Sequence, residues 1–441
     1  MAILCGLASA QSESPRPAPT SHNVLVIVAD DVGCDMVRCF SGRGDGPSTP
    51  ALDALAARGV RFERAYANPW CSPTRAALLT GRYSFRTGIG YPINQATDGF
   101  ALADDELTLP EFLERALGRT LDTSAIGKWH LSRFSDLDGP RRQGFDWFEG
   151  SLGNLVGEDG YFARQEVRNG ERVPTSRYAT VEEADDAIAR LGAMREPWLL
   201  YLAFNSAHEP FHAPPRESSG VAFEPGSNPS QAQLYAAMVQ SLDHEVGRVL
   251  AALGPELGAR TNVVFLGDNG TPMDALEDKY KRARSKGTLF EGGIRVPLII
   301  AGPSVSGAPR VCDELVGAVD LFATIAGMFG VEQRAFDGLE RELDSLSFMP
   351  LLRDPQASSA RRFLLAEEFR PNGHGARVES HVAVFTRSAK LGVTLQGEER
   401  FFDLSDRANA DRPIKIPALT SEQKRQYEEL KAELERLTRA R

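Results

Sequence analysis

The sequence predicts an α/β fold. The expected architecture is a large, mostly parallel or mixed central sheet flanked by helices, with a smaller C-terminal antiparallel sheet subdomain and a final helix. Three observations carry that expectation. Apolar runs such as Val24 to Ala29 and Trp198 to Phe204 lack polar alternation, as strands buried on both faces do. Helical patterns separate these runs, and strands alternating with helices imply a mostly parallel sheet. Around Pro350 to Ala360 the pattern changes, and four strand-like runs then follow one another with short connections.

In chain order, Val24 to Ala29 is the first strand and ends in Asp30-Asp31. Thr49 is placed to cap a helix that starts at Pro50 and stops at Gly59. Val60 to Ala65 is a short strand leading to Cys71. There Pro73 sits where a first helical turn tolerates proline, Ala76 to Leu79 favour helix, and Gly81 provides a stop. Thr108-Leu109-Pro110-Glu111 is a capping box opening a helix to about Leu117. Thr123 to Ile126 is a short strand, followed by Gly127-Lys128-Trp129-His130. Gly139 to Gly170 is rich in Gly, Arg and aromatic residues and reads as irregular loop. Glu182 to Met194 is helical. Trp198 to Phe204 is a strand, with His208 beyond it. Gln231 to Leu253 is a long amphipathic helix. Asn262 to Leu266 is a strand ending in Gly267-Asp268-Asn269-Gly270. Val296 to Ala301 is a strand and Asp320 to Phe329 a helix. Phe363 to Phe369, Val378 to Thr386, Leu391 to Gln396 and Arg400 to Leu404 are the antiparallel strands, and Thr420 caps the last helix.

The 441 residues suffice for one large domain and a smaller one. The expected division is a leader and linker over 1–20, a catalytic domain over 21–354, and the C-terminal subdomain over 355–441. A net charge of -10 gives no support for a nucleic-acid partner. No apolar run approaches the length of a membrane span. Five cysteines, an odd number, exclude a disulfide scaffold. Cys34 and Cys39 are near enough in sequence to pair in an exported protein, or to stay free. Met1 to Ala10 is apolar and ends Ala8-Ser9-Ala10, like a signal-peptidase site, although the run is short and lacks a basic start. Gln11 to Thr20 reads as a Pro- and Ser-rich linker. The location expected from this is periplasmic or secreted.

Cys71-Ser72-Pro73-Thr74-Arg75, followed by Leu78-Leu79-Thr80-Gly81-Arg82, resembles the signature of the type I sulfatases of the alkaline phosphatase superfamily. In that family a maturation enzyme, a transient partner, oxidises the cysteine to formylglycine. The aldehyde hydrate carries two hydroxyls on one carbon. One attacks sulfur, and deprotonation of the other expels sulfate, which is covalent catalysis with a built-in release step.

In parallel sheets, ligands bind beyond the carboxyl ends of the strands. Asp30 and Asp31, Lys128 and His130, His208, and Asp268 and Asn269 each follow a separate expected strand. Taken singly, the aspartates and the Asn-Gly pair also read as turn residues, and Lys-x-His as a surface accident. The resemblance extends from Asn23 to Leu404 and gives them roles together. It implies metal ligation by Asp30, Asp31, Asp268, Asn269 and the modified Cys71. An all-oxygen set suits Ca²⁺ before Mg²⁺, whereas zinc draws His or Cys. It implies sulfate binding by Lys128 and Lys286, and a hold on the formylglycine by Arg75. His130 corresponds to the residue that takes the proton as sulfate leaves, and His208 to the one that protonates the departing oxygen. Ser151 matches more loosely, as a neighbouring polar residue. Ser132 stands where family members commonly carry Gly.

The function implied is hydrolysis of sulfate esters, of a sulfated carbohydrate or an aryl sulfate, with release of inorganic sulfate. The substrate is then a small molecule or an oligosaccharide. A phosphonate monoester or phosphodiester hydrolase of the same superfamily is the alternative. An inactive sulfated-glycan-binding relative would lack a core group, and none is missing. Tyr91 to Asp105, Arg133 to Glu158, Phe211 to Asn228 and Arg370 to His381 are the candidate substrate-facing loops, with Arg133, His212 and His374 among their polar residues.

Overall fold

The computed structural model describes residues 22–41, 46–94, 99–118, 121–157, 159–407 and 409–439. The expected leader and linker lie outside these residues, as do 95–98 and 158 of the candidate loops.

The large sheet takes, in chain order, β1 (Asn23–Ala29), β2 (Gly59–Tyr66), β3 (Asp122–Gly127), β4 (Trp147–Gly150) and β5 (Arg164–Arg168). It continues with β6 (Glu171–Thr175), β7 (Trp198–Ala203), β8 (Thr261–Gly267), β9 (Leu298–Ala301) and β10 (Arg310–Gly317). Across the sheet the order is β10-β2-β9-β8-β1-β7-β3-β4-β5-β6. The block β8-β1-β7-β3-β4 is parallel throughout. β9 and β5 each run against both neighbours, so the sheet is mixed. The smaller sheet is antiparallel: β11 (Leu364–Arg370), β12 (Glu379–Phe385), β13 (Ala389–Thr394) and β14 (Glu399–Asp403). The helix Ser421–Arg439 packs on it through Tyr427, Leu430 and Leu437.

β1 shows why its sequence is apolar without alternation. Val24, Val26 and Val28 join the core on one face of the sheet, while Leu25, Ile27 and Ala29 join the core on the other. The register then aligns the strand ends. Ala29 pairs with Gly267, Val28 with Ala203, and Ala203 with Gly127. Four neighbouring strands therefore finish at one edge, where their continuations meet. Gly127 lies at φ +87, and a Cβ there would sit 2.1 Å from the Ala203 carbonyl oxygen, so only glycine fits this crossing.

Several local expectations give way. Gly139 to Gly170 is not all irregular: it holds the short helix Gly139–Arg142, β4 and β5. These pieces are too short for their periodicity to show. β6 and β10 are the two outermost strands, half-polar in sequence, and edge position removes the apolar signal. The Thr49 hydroxyl does not cap its own helix, because it accepts from the Arg38 amide at 3.0 Å. Asp243, from the helix Gln231–Ala252, instead accepts from the amides of Ala51 and Leu52, both at 2.9 Å. The helix that starts at Pro50 ends at Ala56, and Gly59 opens β2. Cys34 and Cys39 are both free thiols.

Candidate active site

The helix Cys71–Thr80 is buried along its whole length. Gly81, at φ +67, closes it by donating to the Ala77 carbonyl. The Cys71 sulfur lies 3.2 Å from His130 Nδ1. His130 Nε2 faces the Ile93 carbonyl at 3.3 Å, so the ring donates there and turns its Nδ1 lone pair to Cys71. Ser72 ties both neighbours together: its hydroxyl donates to the His130 carbonyl at 2.8 Å and accepts from the Ile93 amide at 3.1 Å. His130 and Asp31 both hold left-handed backbone, φ 59 and 62. Such conformations cost about 1–3 kcal/mol and persist where surrounding contacts over-determine them.

Beside Cys71 lie three carboxylates and three cationic side chains, all buried or nearly so. Single oxygens of Asp30, Asp31 and Asp268 lie within 4.8 Å of one another. Arg75 donates through Nε and Nη2 to Asp268 Oδ2, at 3.1 and 2.9 Å, and through Nη1 to the Lys128 carbonyl at 2.6 Å. Lys128 Nζ pairs with Asp30. Lys286 Nζ lies 2.6 Å from the Asp31 carboxylate. The Asn269 amide donates to Asp31 Oδ1 at 2.8 Å.

Two buried acceptors in this group make no hydrogen bond, Asp30 Oδ1 and Asn269 Oδ1. Orphaned buried oxygens are uncommon, and a cation is one of their standard partners. The set thus fits a hard divalent ion bound by Asp30, Asp31, Asp268 and Asn269. The three side-chain cations already balance the three carboxylates, so such an ion would leave the centre net positive, as an anionic ester requires. A second carboxylate group, Glu166, Glu182 and Asp186, is met by Arg164 at 2.5 and 2.6 Å and by Arg168 at 3.0 Å, which makes it an ion-pair network.

The electrostatics divide the groups. Burial raises the Cys71 thiol, with Lys128 pulling the other way, so the unmodified residue is a protonated thiol rather than a thiolate nucleophile. Burial opposes ionisation of Asp30, but Lys128, with His208, Arg75 and Lys286, more than offsets it and holds the carboxyl far below its usual range. Burial, and after it Asp30, push Asp268 up to about 7 against the pull of Arg75. Burial, then Lys128 and Arg75, hold His130 well below the ordinary imidazole value, so it is a neutral proton acceptor. Burial and Lys286 likewise lower His208. Its Nδ1 donates to the Glu209 carbonyl at 2.8 Å, which leaves Nε2 facing Asp31 at 3.8 Å.

The strand-end residues Asp30, Asp31, Lys128, His130, His208, Asp268 and Asn269 therefore lie in or against this group, together with Cys71, Arg75 and Lys286. Ser151 lies one layer behind, donating to the Gly153 carbonyl and to Asn205 Oδ1. Ser132 accepts from the Trp129 indole at 2.8 Å and so anchors the Lys128–His130 turn. His212 is packed on Tyr161, with ring centroids 4.3 Å apart, and Arg133 donates to the Gly99 carbonyl. Sequence reasoning missed Glu183, which accepts from the Asn205 side chain at 2.6 Å, and Tyr161, which donates to the His208 carbonyl at 2.8 Å. It also missed Trp70, whose indole donates to Glu368 at 2.6 Å. An aromatic residue directly before Cys71 was the available signal for that one.

The sulfatase family model matches residues 22–331, and the chain belongs to the sulfatase family. It is 32% identical to N-acetylgalactosamine-6-sulfatase of Sus scrofa over 362 residues, 73% of this chain and 66% of that protein. It is 30% identical to arylsulfatase J of Mus musculus, covering 72% of this chain and 54% of that protein. The chain thus spans about two thirds or less of these relatives' lengths. Among solved structures it resembles Ps i-CgsB in complex with k-i-k-neocarrahexaose, with TM-score 0.75, 25% identity, and 93% and 92% of the two chains covered. A sulfatase from Pseudoalteromonas sp. shares the fold at TM-score 0.73 and 20% identity, over 94% and 90% of the chains. Among the described residues, no helix is long and apolar enough to cross a membrane.

Proposed function

We propose that the chain hydrolyses sulfate esters, with Cys71 converted to formylglycine as the nucleophile and Ca²⁺ bound by Asp30, Asp31, Asp268 and Asn269. The observation that carries this reading is the contact of Cys71 with His130 beside a balanced cluster of three carboxylates and three cations. A balanced cluster with orphaned oxygens has little use in stabilising a fold. Bound there, the ion would supply charge neutralisation to an anionic ester. The chain's own residues do the rest. Lys128 and Lys286 bind sulfuryl oxygens, and Arg75 holds Asp268 and the Lys128 carbonyl in place. His208 faces the site through Nε2 and donates a proton to the departing oxygen from there only as an imidazolium, a form that burial and Lys286 oppose and that Asp31 and the anionic ester favour. His130, neutral through burial, accepts the proton whose loss releases sulfate. Preorganised charge supplies most of the rate enhancement.

The relatives' names include both a sugar sulfatase and an arylsulfatase, so both ester types are candidate substrates. Turnover of an aryl sulfate beside that of the matching aryl phosphodiester tests the reading, in protein produced with a formylglycine maturation enzyme. Sulfate release should dominate. Faster diester cleavage would assign the chain to the phosphodiesterase branch of the superfamily instead.

A further inference from the structure

A wall built from the segment 88–93 and the small sheet borders the nucleophile. The Gly373 amide donates to the Gly88 carbonyl at 2.7 Å, and the Phe369 amide to the Gly90 carbonyl at 3.2 Å. Asn372 Oδ1 accepts from the amides of Gly90 and Tyr91, at 3.0 and 2.9 Å, and its Nδ2 donates to the Tyr91 carbonyl at 3.0 Å. The segment 88–93, whose far end at Ile93 holds His130, is thereby zipped to the β11–β12 connection.

Three side chains form a row along this wall, starting at the residue next to Cys71. Trp70 meets Tyr91 edge to face, with ring centroids 4.8 Å apart. The Arg370 guanidinium lies 3.9 Å from the centroid of the Tyr91 ring. Trp70 and Tyr91 are partly exposed and Arg370 is exposed. The Trp70 ring is fixed by its bond to Glu368. Arg370 also approaches Glu379, at 3.4 Å, but the two side chains are 44% and 45% exposed, and such pairs are weak in water. A guanidinium stacked on a ring keeps its in-plane donors for a bidentate acid.

We infer that Trp70, Tyr91 and Arg370 form a subsite for the glycan that carries the scissile sulfate, and that Arg370 selects a neighbouring sugar bearing a second anion. This rests on the sulfatase reading above and narrows it from sulfate esters in general to polyanionic sulfated oligosaccharides. The aromatic pair offers apolar area to sugar C–H faces next to the nucleophile, and few rotamers are lost in ordering it. Arg370 stands two side chains further along, where a monosulfated aryl ester has no group to reach it. The anion is a uronate carboxylate or a second sulfate, which share the planar or tripodal oxygens that a guanidinium pairs with.

The test compares wild type, Arg370→Ala and Arg370→Lys on four probes. These are nitrophenyl sulfate, a monosulfated neutral disaccharide, the same disaccharide with a uronate, and a disulfated form. The expected result is that Arg370→Ala lowers the ratio of kcat/KM for an anionic over the neutral disaccharide by about ten- to hundredfold. Arg370→Lys should recover part of it, and the preference should weaken with salt. Whichever anionic probe loses most identifies the anion. Equal proportional losses on all four probes would make Arg370 a brace for the loop and overturn the subsite. Calorimetric binding of the disaccharides to full-length Cys71→Ala, with and without the Arg370 change, reads the same preference without turnover. If protein whose Cys71 is converted to formylglycine hydrolyses no probe yet this binding preference holds, the sulfatase reading fails and the subsite stands. Absent preference there overturns the subsite alone.

Discussion

His208 and Asp268 show how far single residues determine this site. His208 enters by its Nε2, since Nδ1 is committed to the Glu209 carbonyl. Proton donation matters most for a basic leaving group. His208→Ala should therefore lower kcat/KM for sugar sulfates by about 10²- to 10⁴-fold and for activated aryl sulfates much less. Equal losses on both would leave His208 as an anion-binding residue. Asp268 joins the Arg75 side chain to the Asp31 amide, which donates to its Oδ1 at 3.0 Å. Ca²⁺ at a hundred times its Kd should stabilise the wild type by about 2.7 kcal/mol. Asp268→Asn should lose that stabilisation, read as a calcium-dependent rise in Tm, together with activity. A variant that keeps the calcium shift would remove Asp268 from the ion's ligands. At this scale the sequence was most legible where residues act through short spacing, as in Cys71 to Arg75 or Lys128 and His130. Trp70 and Glu368, 298 positions apart, carry no local pattern that joins them.

Strand ends and the helices behind them hold these side chains in place. Glu183, in the helix Ala179–Leu191, accepts from both the side-chain and backbone amides of Asn205, just past β7. Burial pushes its carboxyl up to about 8. The folded state then holds a proton that the unfolded state, with an ordinary value of 4.5, has lost. Stability from this group must fall as pH rises from 4.5 to about 8, with a slope of at most about 1.4 kcal/mol per pH unit. Denaturant unfolding across that range should show a flatter profile for Glu183→Gln. A slope unchanged by the substitution would mean that Glu183 is ionised throughout. Element type was readable for β1, β7 and β8 because burial on both faces leaves an unbroken apolar run. β6 and β10 were not, since an outer strand shares its composition with loops. The helix Pro50–Ala56 was found, but its cap was assigned to Thr49 when the partner is Asp243, about 190 positions away.

The whole molecule depends on joining two sheets across the site. Arg361, on the segment leading to β11, pairs with Asp320 beneath the nucleophile helix and donates to the Asp344 carbonyl at 2.6 Å. Both partners are buried, so removing one strands a charge. Asp320→Ala should destabilise the fold by about 3–5 kcal/mol in chemical denaturation. A loss below 1 kcal/mol would show that the junction rests on apolar packing alone. The fold class and the change to an antiparallel sheet near the C terminus were legible, because alternation of strand and helix gives way there to strands alone. The order of strands was not, because β9 and β10 fold back beside β2 through contacts more than 200 positions apart.

The central claim is that Cys71, oxidised to an aldehyde beside His130, is the nucleophile for sulfate ester hydrolysis. Preparations made with varying amounts of maturation enzyme will differ in the fraction of Cys71 converted. Peptide mass spectrometry of each, set against its initial rate of sulfate release, tests the claim most directly. The account predicts a straight line through the origin. Full activity in a preparation whose Cys71 is entirely thiol would contradict it.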